Sequence, residues 1–179
     1  MKVISTKKIA LGGLFMALIC VTTIVTQIKL YTGYFNLGDI FVMTAAVLLG
    51  RYYGFAVGGI GAAIADLYLG SPIYAPITLI VKGMEAFVIA SIIGNSKRAE
   101  INIKTVIAFG TGAFIMVVGY FIAEGYLLRL IDKTFGLTAA FANLPFNAIQ
   151  GVVCSICAFI LIKVLARINL IPQDPRRIS

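Results

Sequence analysis

Between Lys8 and Lys29 run 20 residues without a charge, IALGGLFMALICVTTIVTQI. A helix of that length covers about 30 Å, the thickness of a bilayer's hydrocarbon core. A signal peptide has a shorter apolar run and a small-residue cleavage site, so this segment reads as a first membrane helix. The pattern recurs. Charge-free stretches place further helices at about Leu37 to Leu49, Tyr53 to Leu69, Ile77 to Gly94, Lys104 to Leu128 and Leu144 to Arg167. The expectation is an all-α, integral membrane six-helix bundle, one domain over residues 1–179. The second helix is the exception. Its charge-free core, Ile40 to Gly50, is 11 residues long and too short to span alone. It starts earlier, tilts or is shielded by other helices, or else helices two and three form a re-entrant pair.

Composition fits a lipid environment. The chain is 60% hydrophobic and 12% charged, against about 25% charged in soluble domains. That leaves too little polar surface to cover a water-facing globule. The net charge of +8 does not point to nucleic acid, because the basic residues sit at the ends of apolar runs. With six spans and the N-terminus inside, the inner ends hold Lys2, Lys7, Lys8, Arg51, Lys97, Arg98, Lys104, Lys163, Arg167, Arg176 and Arg177. These are 11 of the 15 Lys and Arg residues. The outer loops hold Lys29, Arg129 and Lys133. Both termini are therefore expected in the cytoplasm, in a multi-pass protein of the cell membrane.

The remaining cation, Lys82, lies inside a span, in SPIYAPITLIVKGMEAFVIASIIGN, with Glu85 three residues on. Other spans carry Asp66, Glu124, Asn147 and Gln150. On the layout above, all six fall in the outer half of the membrane. A charge at the bilayer centre costs about 2.5–3.5 kcal/mol, so four facing lipid would cost about 10 kcal/mol. They must face one another or a wet cavity. Helical spacing agrees: Tyr74, Thr78, Lys82 and Glu85 share one face, Tyr120 and Glu124 another, Asn147 and Gln150 a third. One reading is a structural network in which Lys82 pairs with Glu85 or Asp66. The other is a pocket open to the outside. Three carboxylates against one lysine exceed what a neutral network needs, which favours the pocket. The outer loop KLYTGYFNLGD sets Tyr31, Tyr34 and Phe35 beside this cluster. Rings and polar groups together suit a flat heteroaromatic ligand. Asn143, just before Leu144-Pro145, reads as the N-cap of helix six rather than a ligand contact.

Helix one has a small face, Ala10, Gly13, Ala17 and Cys20. Its Gly13-x-x-x-Ala17 pair permits close helix approach, within the chain or to a partner. The run of Gly and Ala from Gly58 to Ala65 suits internal packing of helix three. Cys154 and Cys157 form a C-x-x-C in mid-span, with no second pair and no His in the chain; they read as packing residues, not as a metal or redox site. No G-x-x-x-x-G-K-[ST] occurs and no nucleophile has a His beside it, so an enzyme reading is poor and no cofactor is expected. No inverted repeat is evident, which weakens a self-sufficient proton-coupled transporter.

The stretch from Gly33 to Ala86, with its F-N-L-G-D loop and I-Y-A-P…K-G segment, and LPFNAIQG at Leu144 to Gly151 resemble the substrate-binding S component of energy-coupling factor (ECF) transporters. The likeness is closest to the riboflavin, hydroxymethylpyrimidine and pyridoxine branch and covers nearly the whole chain. It implies a six-helix subunit that takes a vitamin or precursor from outside. Its partners would be a transmembrane scaffold subunit and two cytoplasmic ATPase subunits. The small face of helix one (Ala10, Gly13, Ala17) would dock on the scaffold. The expected ligand contacts are Lys82 and Glu85, Asn147 and Gln150, the rings of Tyr34, Phe35 and Tyr74, and in second place Glu124 and Asp66. Mixed charges favour pyridoxine or hydroxymethylpyrimidine as substrate, with riboflavin the alternative.

Overall fold

The computed structural model describes residues 6–30, 32–94 and 103–168. Tyr31, Lys2, Lys97, Arg98, Arg176 and Arg177 lie outside the described residues. Six α-helices form, as the apolar runs require: α1 (Thr6–Thr26), α2 (Asp39–Leu49), α3 (Arg51–Tyr68), α4 (Ala75–Ile93), α5 (Ile103–Ile122) and α6 (Leu137–Arg167). Among the described residues α1, α4, α6 and α5 with its continuation to Leu130 are long and apolar enough to cross a membrane. With 11 residues, α2 reaches about 16 Å. None of its residues is exposed, so its shortness is met by a sheath of other helices.

The centre is made by Ile19 of α1, Val42 and Met43 of α2, Ile89 of α4, Phe109 of α5 and Ile162 of α6, all buried together. Leu14, Val21, Phe114 and Ile156 point outward and are exposed, as lipid-facing positions are. The small residues of α3 pack it against α1 and α4, as expected. A Cβ at Gly59 would run into the carbonyl oxygen of Leu79, and one at Gly61 would stand 3.0 Å from the carbonyl oxygen of Met16.

The structure corrects three readings. The loop KLYTGYFNLGD contains a small antiparallel hairpin, β1 (Ile28–Lys29) against β2 (Tyr34–Phe35), with Ile28 opposite Phe35 and Lys29 opposite Tyr34. Two-residue strands are too short to leave an alternating pattern in the sequence. The fifth helix does not run on as α-helix to Leu128 but widens into a π-helical turn at Ala123–Leu127, then a 3₁₀ turn at Leu128–Leu130. Finally, α6 begins at Leu137, after Gly136 at φ 146°, and carries Pro145 inside it. A proline removes one backbone hydrogen bond, but Ala139, Ala140 and Asn143 bury themselves in that first stretch. Packing therefore overrides the breaker. Asn143 lies inside α6 and is not its N-cap.

Candidate functional site

A cavity opens among the helices beneath the β1–β2 hairpin. Its deep side is built on α4. Lys82 sits about two helical turns in from Tyr74, and its Nζ meets Asp39 Oδ1 at 2.5 Å and Glu85 Oε2 at 3.4 Å. The other Asp39 oxygen, Oδ2, accepts from Gln150 Nε2 at 2.7 Å. Gln150 in turn accepts from the backbone N–H of Asn36 at 2.8 Å. One side chain of α6 thus ties the hairpin's exit to the start of α2. The Lys82 ammonium also lies 5.4 Å from the centre of the Tyr120 ring, within cation–π range.

The side nearer the hairpin has a different chemistry. Tyr34 donates its hydroxyl to Asp66 Oδ1, and Tyr74 donates to Glu124 Oε1 at 3.0 Å. Asn143 Nδ2 reaches both Glu124 oxygens at 3.1 Å and Thr32 Oγ1 at 2.7 Å. The π-helical turn positions Glu124; such turns often occur where a helix serves a site. Gly33 of the hairpin packs over this side, close to the Tyr74 hydroxyl and Glu124 Oε1. Burial, then the nearby Asp66 carboxylate, pushes the Tyr34 hydroxyl above its usual range. Burial, then Glu124, does the same to Tyr74. Both tyrosines therefore remain O–H donors.

The cavity gathers Tyr34, Asp66, Tyr74, Lys82, Glu124, Asn147 and Gln150 from the residues singled out in the sequence. Phe35 and Glu85 are not in its wall; Glu85 is fully buried beside Lys82. On α1, Gly12, Phe15, Ile19 and Thr23 face inward, while Ala10, Gly13 and Ala17 are exposed. A Cβ at Gly13 would meet nothing within 4 Å. Sequence reasoning missed Asp39, Asn36 and Asn143 as cavity residues. Asp39 closes the loop KLYTGYFNLGD at the start of the second apolar run, and the sequence offers Glu85 and Asp66 as partners of Lys82, whereas the structure adds Asp39. Asn143, Asn147 and Gln150 follow an i, i+4, i+7 spacing, a shared helical face that Pro145 disguised.

Several apolar helices, each able to cross a bilayer, surrounding one polar cavity define the class: a multi-pass, membrane-integral protein. The family described as "ECF-type riboflavin transporter, S component" matches residues 3–167, and the chain belongs to it. The chain is also 34% identical over 138 residues to an uncharacterized protein in the gap 3' region of Pyrococcus woesei, covering 75% of this chain and 87% of that one. Membership makes it the substrate-binding subunit of a membrane vitamin-uptake system, a transport component and not an enzyme.

Proposed function

We propose that the cavity beneath the hairpin captures a small heteroaromatic vitamin or precursor from outside the cell. A transmembrane scaffold subunit and two cytoplasmic ATPase subunits then complete uptake. The carrying observation is convergence: Tyr34, Asp66, Tyr74, Lys82, Glu124, Asn147 and Gln150, from five separate parts of the chain, line one cavity in an otherwise apolar bundle. Riboflavin is the first candidate substrate, since the family description names it. The mixed charges of the cavity, Lys82 beside Asp66 and Glu124, favour a second reading, a smaller ring such as pyridoxine or hydroxymethylpyrimidine. The exposed face of Ala10, Gly13 and Ala17 is the surface on which the scaffold packs, because small residues let helix backbones approach. Both termini lie in the cytoplasm on this reading.

The test is purification of the tagged chain from native membranes, with mass spectrometry of the small molecules it retains. A stoichiometric heteroaromatic vitamin, with ATPase subunits in the same fraction, is expected. Concentrative uptake by the chain alone in proteoliposomes, driven by a proton gradient, would overturn the proposal in favour of a self-sufficient transporter.

A further inference from the structure

We infer that the hairpin side of the cavity is an acceptor wall. It takes an uncharged or cationic ligand that presents O–H or N–H groups to Asp66, Glu124 and Asn143, and it refuses the phosphorylated form of the same ligand. The inference rests on the binding role proposed above and specifies the chemistry of its ligand.

The donors and acceptors of the wall do not balance. The Tyr34 hydroxyl is spent on Asp66, the Tyr74 hydroxyl on Glu124 and the Asn143 amide on Glu124 and Thr32; the Asn147 amide, which brings both N–H donors and a C=O acceptor, also lines the cavity. Acceptors are left over. Asp66 Oδ2 and Asn143 Oδ1 have no hydrogen-bond partner among the described residues, although each residue is only 1% exposed. The Thr78 hydroxyl stands beside Asp66 but lies 3.1 Å from the Tyr120 hydroxyl. A buried acceptor without a donor is costly, and a ligand that brings the donor removes that cost.

An anion finds the opposite situation. The ion pairs among the described residues are those of Lys82 with Asp39 and Glu85, so the cation of the cavity is already shared by two acids. Among the described residues Asp66 and Glu124 have no Lys or Arg at ion-pair distance. The start of α4 offers a phosphate little help. The N–H groups of Tyr74, Ala75 and Thr78 bond the carbonyls of Ser71, Pro72 and Tyr74, and Pro76 has no N–H to give. A phosphate would face carboxylates and a lysine already shared by two acids.

The experiment is calorimetric titration of the purified wild-type chain with two matched pairs: riboflavin and riboflavin 5'-phosphate, pyridoxine and pyridoxine 5'-phosphate. Whichever parent binds, its phosphate should bind at least about tenfold more weakly, as like-charge juxtaposition in a binding site requires. In Asp66→Asn and in Glu124→Gln the parent should weaken and the ratio should narrow. Thermal unfolding of each variant checks that it folds, and the wild-type ratio stands without them. Equal or tighter binding of a phosphate would overturn the inference and leave the pocket standing. A ratio unchanged in both folded variants would also overturn it, since the wall would not be its source. If a folded wild-type chain binds neither parent nor phosphate, the binding role fails and takes the inference with it.

Discussion

Two sets of buried polar groups lie side by side in this bundle, and they are bonded in different ways. The deep set, Asp39, Lys82, Glu85 and Gln150, is held together by its own charges and amide. The set under the hairpin, Asp66, Glu124, Asn143 and Asn147, has carboxylates and amides but no cation. Asn147 makes no hydrogen bond among the described residues although it is only 8% exposed. The deep set has a loose end too, because Glu85 Oε1 lacks a partner, but Glu85 is outside the cavity wall. The residue types are nearly the same in both. On the function proposed above, the difference lies in how fully the fold itself supplies each set with partners.

The largest effect should come from the deep set. Lys82→Met leaves Asp39 and Glu85 buried with no cation between them. Removing one partner of a buried ion pair costs about 3–5 kcal/mol of stability, so the variant should lose most of its folded population in detergent, read by gel filtration and thermal unfolding. A variant that melts like the wild type would show that Lys82 does not hold the helices, and the contrast between the sets would dissolve. Next comes the hairpin side. Asn147→Ala should melt normally but lose about 1–3 kcal/mol of ligand affinity, the range for an unpaired buried polar group. That is roughly fivefold to 150-fold in the dissociation constant, measured by titration with the vitamin found on purification. Equal losses of stability and affinity would make Asn147 part of the scaffold. The smallest effect belongs to α1. A Cβ at Gly13 meets no neighbour within 4 Å, so in Gly13→Leu the stability and binding of the isolated subunit should move by less than about 0.5 kcal/mol. Uptake by the assembled complex should nevertheless stop. Normal uptake would show that the exposed small face is not where a partner packs.

The two sets were not equally legible beforehand. The helices were readable because lipid tolerates almost no charge, so each Lys and Arg marks an end. Lys82, Glu85 and Asp66 were conspicuous for the same reason. Asp39 was hidden because a charge at a helix start looks like the end of a run, although it is only 1% exposed. Asn143 was hidden by Pro145, a local signal that packing of Ala139 and Ala140 outweighs. The hairpin left no pattern at all, since its register depends on contacts such as Tyr34 with Asp66, 32 residues away. Local chemistry sets the spans; the pairing of polar groups is a long-range property that spacing within one helix cannot report.

The shortness of α2 has a consequence for how the chain is made. A nascent segment of 11 residues that opens on a carboxylate does not give an insertion machine the length of a span. Its charge is answered only by Lys82, synthesised 43 residues after Asp39, and its second oxygen only by Gln150, later still. A polypeptide halted after α3 would hold Asp39 with neither partner. The acid at the start of α2 is therefore matched only after α4, and then α6, has been made.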